Sequence, residues 1–321
     1  MNLIVRLAAV AMAWFCALSP SAFATCVAAP DLAAYQTAAP EDFALGASRS
    51  DRLGRVVAPV FVNGEGPFRF IVDTGANRSV LSSELALRLG LAPDGEGEVH
   101  SVYGASMAPL ARVRSITYEN LDVGAREAPI LSGAVLAGEH GLLGADGMRD
   151  RRLRLDFERN CIEILPSREA RRLRGWAVVR GELRFGHLVV IPGSINGVRV
   201  RILVDTGSDS SLANLALRDA LRARERRDRA RLNFALGGAP IVLDRAIAIH
   251  RMNIGDLEVR DVTAYVDDFH VFRLWGFVDE PALLMGMDVL SQTRGVAIDY
   301  GRGTVAFRIR GPLYFGSRVR N

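Results

Sequence analysis

The sequence FIVDTGA, residues 70–76, returns in close likeness as ILVDTGS at residues 202–208. In both stretches an apolar run that is typical of a buried strand ends in Asp-Thr-Gly, at Asp73 and at Asp205. A carboxylate at the end of a buried strand is costly unless other groups satisfy it, and the glycine permits a tight turn at that point. Two such turns in one chain suggest that two carboxylates are brought together.

The likeness extends on both sides of the two motifs. Before each motif, two apolar runs joined by an Asn-Gly pair, at 63–64 and at 196–197, predict a β-hairpin. After each motif, residues 79–87 and 210–217 have the pattern of a strand that leads into a short helix. The two aspartates are 132 residues apart and the two Asn-Gly pairs are 133 residues apart, so the halves keep the same internal spacing.

Three later landmarks repeat in the same order. A glycine-bearing hairpin follows each motif, with Gly104 31 residues after the first aspartate and Gly237, followed by Gly238, 32 residues after the second. Two apolar residues, a glycine and an aspartate two places later recur at 142–146 and 284–288, and a pair of strand patterns closes each half. We infer an internal duplication of two β-rich halves.

The chain is long enough for two compact domains, because 49% of its 321 residues are apolar. The densely charged stretch from Arg218 to Arg231 predicts the solvated face of a surface helix, and the alternative is a patch for an acidic partner. The predicted segments are a signal peptide at 1–24, an N-terminal extension at 25–52, lobe 1 at 53–167, a linker at 168–185, lobe 2 at 186–311 and a C-terminal tail at 312–321.

Composition argues against several classes of function. All 40 basic residues are arginines, but the net charge is only +4. No basic stripe is interleaved with aromatic residues, so we expect no nucleic-acid partner. The five histidines and the cysteines lack the spacing of metal ligands, and no glycine loop is built to hold a phosphate. Gly-Ala-Ser at 104–106 lacks the nucleophile-elbow pattern of serine hydrolases. We therefore expect neither a metal nor a cofactor.

The N-terminus has the features of a secretory signal. A single positive charge precedes the apolar run at 7–18, and Ala22-Phe23-Ala24 matches a cleavage site, so we expect cleavage after Ala24 and a periplasmic or secreted protein. The alternative, an uncleaved membrane anchor, is disfavoured because the run is short for a membrane span. Whether residues 25–52 form a removable pro-segment stays open.

Cysteine usage agrees with export. Removal of the signal would leave Cys26 and Cys161, and a cysteine pair in an oxidising compartment favours a disulfide bond. The alternative is two unrelated thiols.

The ordered set of motifs resembles the aspartic peptidases, specifically the bacterial retropepsin-like group, in a single chain with two lobes. Three elements carry the resemblance: Asp-Thr-Gly-Ala/Ser after an apolar strand, a glycine-containing flap hairpin, and the apolar-apolar-Gly-x-Asp segment before the closing strands. The resemblance covers residues 53 to 310. It implies an all-β, bilobal acid-protease fold made of two duplicated β-barrel lobes with short helices, and it implies that Asp73 and Asp205 form the catalytic dyad.

A pair of carboxyls suits peptide hydrolysis on physical grounds. The reaction needs a base that activates water and an acid that protonates the carbonyl oxygen or the leaving amine. Two carboxylates about 3 Å apart repel by about 5 kcal/mol even at an effective dielectric constant near 20. They would therefore share one proton, so that one acts as base while the other acts as acid.

The resemblance also implies roles for the residues beside the dyad. Thr74 and Thr206 would interlock the two loops by hydroxyl-to-backbone hydrogen bonds. Gly75 and Gly207 would let backbone N–H groups approach the carboxylates without a Cβ in the way.

The fourth residue of each motif differs between the halves. Ser208 is expected to donate a hydrogen bond to Asp205, whereas Ala76 offers no hydroxyl to Asp73. The dyad should therefore be asymmetric, with Asp205 the more acidic carboxyl. Asp146 and Asp288 are expected to be structural hydrogen-bonding groups.

Tyr103, next to Gly104, lies at the tip of the first flap candidate and could close over bound substrate; the alternative is an ordinary exposed tyrosine of a hairpin. The second flap candidate, with Gly237 and Gly238, has no matching tyrosine, so we do not expect two flaps that close as in the retroviral enzymes.

We expect an exported aspartic endopeptidase that acts on polypeptides. The alternative is a catalytically inactive periplasmic binding or assembly protein on the same fold. We expect a monomer without a stable membrane anchor, because a duplicated chain can assemble the dyad alone.

Overall fold

The computed structural model of the chain describes residues 27–28 and 55–309, without 119–120, 125, 133–135, 160 and 233–240, and only the backbone of 27–28, 228–232 and 241. Its strands, in chain order, are β1 Val27–Ala28, β2 Val57–Val62, β3 Glu65–Val72, β4 Val80–Ser82, β5 Pro93–His100, β6 Ala105–Val113, β7 Ile116–Tyr118, β8 Leu121–Asp122, β9 Arg126–Leu131, β10 Gly141–Leu143, β11 Arg151–Asp156, β12 Cys161–Pro166, β13 Ala177–Arg180, β14 Glu182–Arg184, β15 Leu188–Ile195, β16 Val198–Val204, β17 Leu212–Ala213, β18 Arg226–Leu232, β19 Ile241–Ile254, β20 Leu257–Val266, β21 Ala282–Met285, β22 Gly295–Asp299 and β23 Thr304–Arg308. Its helices are α1 Ser83–Arg88, α2 Leu215–Ala220, α3 His270–Leu274 and α4 Met287–Leu290, with a 3₁₀ turn at Ala145–Gly147.

Lobe 1 is built on a nine-stranded sheet in the order β5-β6-β9-β4-β10-β3-β2-β7-β8. Its first hairpin, β2–β3, turns at Asn63 and Gly64, whose φ angles are 54° and 85°. Two consecutive positive φ angles define the tight hairpin turn that Asn-Gly favours. The strand β3, which leads into Asp73, therefore starts from a turn that the sequence specifies locally.

Lobe 2 repeats this arrangement in an eight-stranded sheet, in the order β14-β15-β16-β21-β17-β20-β19-β18. The hairpin β15–β16 turns at Asn196 and Gly197, with φ angles of 48° and 87°. In both lobes the strand before Asp-Thr-Gly pairs in parallel with a later strand, β3 with β10 and β16 with β21. In both, that later strand also pairs antiparallel with the strand after the motif, β10 with β4 and β21 with β17. The predicted duplication is thus a duplication of sheet topology.

The closing strand pairs of the two halves join in one six-stranded sheet, in the order β1-β12-β11-β22-β23-β13. Its central pairing is antiparallel between β11 of the first half and β22 of the second, with Arg152 opposite Asp299 and Asp156 opposite Gly295. Backbone hydrogen bonds therefore connect the lobes directly.

The apolar core follows the strand pattern. In β2, Ala58, Val60 and Val62 are completely buried, in the two-residue period expected of a strand with one covered face. One cluster of buried residues runs through both lobes and the shared sheet. A smaller cluster in lobe 2, called here the Phe269 cluster, includes Phe269, Phe272, Trp275 and Phe277. These clusters support the all-β, bilobal fold that the sequence predicts.

The helix predicted over Arg218 to Arg231 is wrong. Helix α2 ends at Ala220, and Arg226–Leu232 forms β18, which pairs antiparallel with β19 at the edge of the lobe 2 sheet. Charged side chains are as compatible with an edge strand as with a solvated helix face, so charge density alone did not distinguish the two.

The predicted linker at 168–185 contains two short strands that extend neighbouring sheets, since β13 pairs with β23 and β14 with β15. The domain boundaries themselves remain predictions. Among the described residues, no helix is long and apolar enough to span a membrane.

The signal peptide, most of the N-terminal extension and the C-terminal tail lie outside the described residues. Of the extension, β1 is described, and it pairs with β12 so that Ala28 lies opposite Cys161. Cys26 is outside the described part of the chain, and the Cys26–Cys161 disulfide therefore stays a prediction.

Candidate active site

The two Asp-Thr-Gly loops are held by the parallel strands that flank them. The backbone N–H of Asp73 donates to the carbonyl of Leu143, and that of Asp205 donates to the carbonyl of Met285, each at 3.0 Å. Each aspartate thus leaves its strand, β3 or β16, at an equivalent point of the duplicated sheet.

The threonines interlock the two loops. The N–H of Thr74 donates to Oγ1 of Thr206 at 3.2 Å, and the N–H of Thr206 donates to Oγ1 of Thr74 at 3.1 Å. Each hydroxyl then donates across to the other lobe, Thr74 to the carbonyl of Val204 at 2.8 Å and Thr206 to that of Val72 at 2.5 Å. Both threonines are buried, and the structure has the hydroxyl-to-backbone interlock that the resemblance implies.

The interlock places the two carboxyls side by side. Oδ1 of Asp73 accepts hydrogen bonds from the N–H groups of Gly75 and Ala76, at 2.8 and 3.0 Å. Oδ1 of Asp205 accepts from the N–H of Gly207 at 2.8 Å. The carboxyls are also hydrogen-bonded to each other. Backbone donors therefore orient each group, and the two form one coupled pair.

The glycines make this approach possible, each against the opposite aspartate. A Cβ on Gly75 would lie 2.9 Å from Cγ of Asp205, and a Cβ on Gly207 would lie 2.3 Å from Cγ of Asp73. Both distances are shorter than real Cβ contacts, so a side chain at either position would push the loops apart. Each glycine therefore makes room for the carboxyl of the opposite loop.

Burial raises the pKa of both aspartates. The pKa of Asp73 is raised by burial, and its hydrogen bonds from Gly75, Asp205 and Ala76 oppose the rise. The pKa of Asp205 is raised further, first by burial and then by the nearby charge of Asp73. A pair in which the second ionisation is opposed so strongly retains one proton over a wide pH range.

Comparison with known proteins decides the family. The family model described as "Aspartyl protease" matches residues 58–146 and 191–289, which is more than half of the chain and includes both Asp-Thr-Gly motifs. The chain belongs to the aspartyl protease family. A search of curated proteins found no match.

In this member of the family, Ser208 does not act as the sequence predicted. Its hydroxyl donates to the carbonyl of Ser210 at 2.7 Å, not to Asp205. The backbone donors of the two carboxyls are matched, because Asp205 also accepts from the N–H of Ser208, as Asp73 does from that of Ala76. The expectation that Asp205 is the more acidic carboxyl is therefore wrong. The pair is asymmetric because the charge of Asp73 raises the pKa of Asp205, whereas the hydrogen bond from Asp205 and the charge of Arg55 lower that of Asp73.

Behind the dyad, a serine and an aspartate support each loop. Ser79 donates to Asp146 from its N–H at 3.0 Å and from its hydroxyl at 2.7 Å. In lobe 2, the hydroxyl of Ser211 donates to Asp288 at 2.8 Å. Both aspartates are structural hydrogen-bonding groups in this geometry, as the sequence predicts.

Two residues near the dyad lie outside the repeated motifs and could not be identified from them. The positive charge of Arg55 lowers the pKa of Asp73. Tyr300, buried just after β22, has a pKa raised by burial and then by both dyad aspartates. Only the folded structure brings these side chains to the dyad, because neither lies within the repeated pattern around Asp-Thr-Gly.

The first flap candidate is the hairpin β5–β6, called here the flap, with its tip at 101–104. The ring of Tyr103 contacts Phe269 of lobe 2 edge-on, at 5.3 Å between ring centres. The alternative of an ordinary exposed tyrosine is therefore wrong, because the ring packs on the other lobe. Gly104 is not sterically required, because a Cβ there would have no atom within 4 Å. Gly237 and Gly238 of the second candidate lie outside the described residues.

Within the described part of the chain, no group of three or more His, Cys, Asp or Glu side chains is arranged to hold a metal ion.

Proposed function

We propose that this chain is an aspartic endopeptidase that hydrolyses polypeptides with a water molecule activated between Asp73 and Asp205. The family supports a protease-like function in general. The observation that carries the finer proposal is the coupled pair itself: two carboxyls from separate halves, hydrogen-bonded to each other and held by a reciprocal threonine interlock.

The shared proton supplies both an acid and a base. The ionised carboxyl takes a proton from water while the water oxygen forms a bond to the peptide carbonyl carbon, and the protonated carboxyl gives its proton to the carbonyl oxygen. In the second step the newly protonated carboxyl gives its proton to the amide nitrogen and the C–N bond breaks. A hydroxyl of the tetrahedral intermediate gives its proton to the other carboxyl, so the pair is again singly protonated. Backbone donors engage Oδ1 of each aspartate, which leaves Oδ2 for this exchange.

We further propose that the protein is exported to the periplasm or secreted, acts as a monomer, and carries the Cys26–Cys161 disulfide after removal of residues 1–24. The Ala-x-Ala site supports export, and the pairing of β1 with β12 beside Cys161 supports the disulfide. N-terminal sequencing of the exported protein, and mass measurement with and without reduction, would check both. A retained N-terminus or two free thiols would contradict these points.

The activity is tested with purified mature protein and unfolded casein from about pH 3 to about pH 7, a range that spans carboxyl ionisation. Asp73→Asn and Asp205→Asn should each lower kcat by at least about a thousandfold, because neither variant has a pair that shares a proton. Asp219→Asn is a matched control, because Asp219 forms a surface ion pair with Arg218 on α2, outside the dyad loops and the flap hairpin.

Two outcomes would contradict the proposal: no cleavage at any pH by a folded protein, or unchanged cleavage in either dyad variant. The first would favour the alternative, an inactive binding or assembly protein on this fold. Circular dichroism of all three variants establishes that they are folded.

A further inference from the structure

The flap of lobe 1 is joined to lobe 2 through a pair of histidines. His100, the last residue of β5, places Nδ1 3.0 Å from Nε2 of His270, the first residue of α3. The two rings are stacked, with centres 5.2 Å apart and planes 15° apart. These residues are 170 positions apart in the chain, so the contact is a tertiary bridge between lobes.

The neighbouring residues reinforce this bridge. The N–H of Val271 donates to the carbonyl of Val102 at 3.4 Å, and the Tyr103 ring contacts Phe269. Val102 and Tyr103 pack against the Phe269 cluster. Two consecutive residues of the flap tip thus contact Val271 and Phe269, which flank His270.

The tip itself is an ordered turn. The N–H of Ser101 donates to the carbonyl of Gly104 at 2.7 Å, and the Ser101 hydroxyl accepts from the N–H of Tyr103 at 3.3 Å. The tip can therefore leave or join lobe 2 as one unit, without losing its own hydrogen bonds.

The histidine contact is sensitive to protonation. A hydrogen bond between two imidazoles needs one nitrogen that donates and one that accepts, so it exists while at least one ring is neutral. When both rings are protonated, all four nitrogens are donors and two positive charges face each other. Histidine is the side chain whose charge ordinarily changes between about pH 5 and pH 8.

Charged side chains face the pair from both lobes. On the flap side, Oε2 of Glu98 lies 3.7 Å from Nε2 of His100. The acidic residues just before His270 are in ion pairs, which are Arg245–Asp267 and Arg273–Asp268. A proton on both rings leaves no acceptor nitrogen between them.

We propose that the His100–His270 pair is a proton-controlled latch. The latch holds the flap tip on lobe 2 while either ring is neutral and releases it when both are protonated. The consequence for catalysis rests on the proposed function: a polypeptide enters the cleft when the tip is released, so access increases in acid.

The latch is measured without any activity, by hydrogen–deuterium exchange in the Asp73→Asn background. The readout is exchange of residues 98–107 divided by that of the hairpin 57–72, which corrects for the effect of pH on exchange chemistry. Between about pH 7.5 and about pH 5 we expect this ratio to rise at least about tenfold, as both histidines become charged.

Variants of His270 separate the latch from a general effect of acid. His270→Gln can donate to neutral His100 or accept from protonated His100, so the flap should stay protected at both pH values. His270→Ala should expose it at both. His250→Gln removes another histidine of lobe 2, one that lies beside Asp261 and is 76% exposed, and should respond to pH like the parent.

Three results would overturn the proposal: a ratio that does not change with pH in the parent, a flap that is unprotected at pH 7.5, or the same acid response in His270→Gln. A failure of the casein assay would leave these measurements unaffected. In the active protein, His270→Ala should raise kcat/KM near neutral pH relative to the parent, chiefly by lowering KM.

Discussion

The two lobes share one arrangement of strands and active-site loops, called here the frame, but differ in the side chains that pack within it. The two lobes have the same residue at positions where a side chain would clash with the backbone. Gly144 and Gly286 occupy equivalent places, and a Cβ on either would lie 2.6 Å from a carbonyl oxygen of the facing loop. The lobes differ at positions where only the total side-chain volume or the balance of charge is constrained. The comparison separates the residues that shape the dyad from those that support each lobe separately.

Residues that pair across neighbouring strands divide the side-chain volume differently in the two lobes. Gly141 pairs with Phe70 in lobe 1, and the equivalent pair in lobe 2 is Leu283 with Ile202. A Cβ on Gly141 would lie 2.4 Å from the Phe70 ring. A large ring opposite glycine and two branched side chains are therefore two solutions for the same part of the sheet.

Charge is balanced in lobe 1 but not in the same way in lobe 2. Asp146 forms an ion pair with Arg126 in addition to its bonds with Ser79. Asp288 accepts from Ser211, and burial raises the pKa of Asp288 to about 6. The same supporting aspartate is thus held as an ion-paired group in one lobe and as a carboxyl that readily takes up a proton in the other.

The strongest test of the shared frame is a methyl group at the two loop glycines. Gly207→Ala should lower kcat by at least about a hundredfold, because its Cβ meets the Asp73 carboxyl at 2.3 Å and displaces it from Asp205. Gly75→Ala, with its contact at 2.9 Å, should lose less. Casein cleavage at the optimum pH measures both. No loss at either glycine would show that the loops tolerate a Cβ. Equal losses would show that the shorter Cβ contact at Gly207 does not make that position the more restricted one.

The next effect is on stability, at the position where the lobes differ in volume. Gly141→Ala should lower the free energy of unfolding by about 3 kcal/mol, because the Cβ meets both the Phe70 ring and the carbonyl of Val80. Urea unfolding measures the change. Gly104→Ala, which meets no atom, is the matched control and should change stability by less than about 0.5 kcal/mol. A similar cost at both glycines would mean that crowding at Gly141 is not the cause.

Much of the frame could be predicted because its signals are local. The Asn-Gly turns require positive φ, and Asn63 and Asn196 adopt it. The apolar run before each aspartate becomes a strand, and Ser82 and Asn214 accept hydrogen bonds from the first turns of the helices that follow. Each of these features is decided within a few residues, so the duplicated pattern revealed the topology.

The remaining features depend on contacts between distant residues. Nothing near Tyr103 in the sequence indicates that its ring meets Phe269, and nothing near His100 indicates His270. The two contacts of the flap are set by packing between the lobes. The Ser208 hydroxyl donates to the carbonyl of Ser210 and not to Asp205, so residue type did not decide its partner.

The difference in charge balance predicts opposite responses to two matched substitutions. The pKa of Asp288 is about 6 in the folded state, against about 3.9 when unfolded, so its contribution is favourable below about pH 4 and is lost as pH rises through about 6. Asp288→Asn should remove that loss and raise the free energy of unfolding at pH 7 by about 2 kcal/mol relative to the parent. Asp146→Asn should lower it, because Arg126 loses its ion-pair partner.

Urea midpoints at about pH 4 and about pH 7 give the measurement, since these values bracket the titration of Asp288. The dyad aspartates titrate in the parent and in both variants, so their effect cancels when variant and parent are compared. If Asp288→Asn destabilises the protein at pH 7 as much as Asp146→Asn does, the two supporting aspartates are equivalent and the comparison fails.

The smallest effect is expected where the lobes are most alike. Thr74→Val and Thr206→Val each remove a hydroxyl that both donates and accepts across the interlock, so each should cost about 1 to 2 kcal/mol, with closely similar values. The double variant should cost less than the sum of the two, because either substitution alone already breaks the reciprocal ring of hydrogen bonds. Urea unfolding with an unchanged m-value checks this. Strictly additive costs would mean that each threonine supports only its own loop, and the interlock would then not be what holds Asp73 against Asp205.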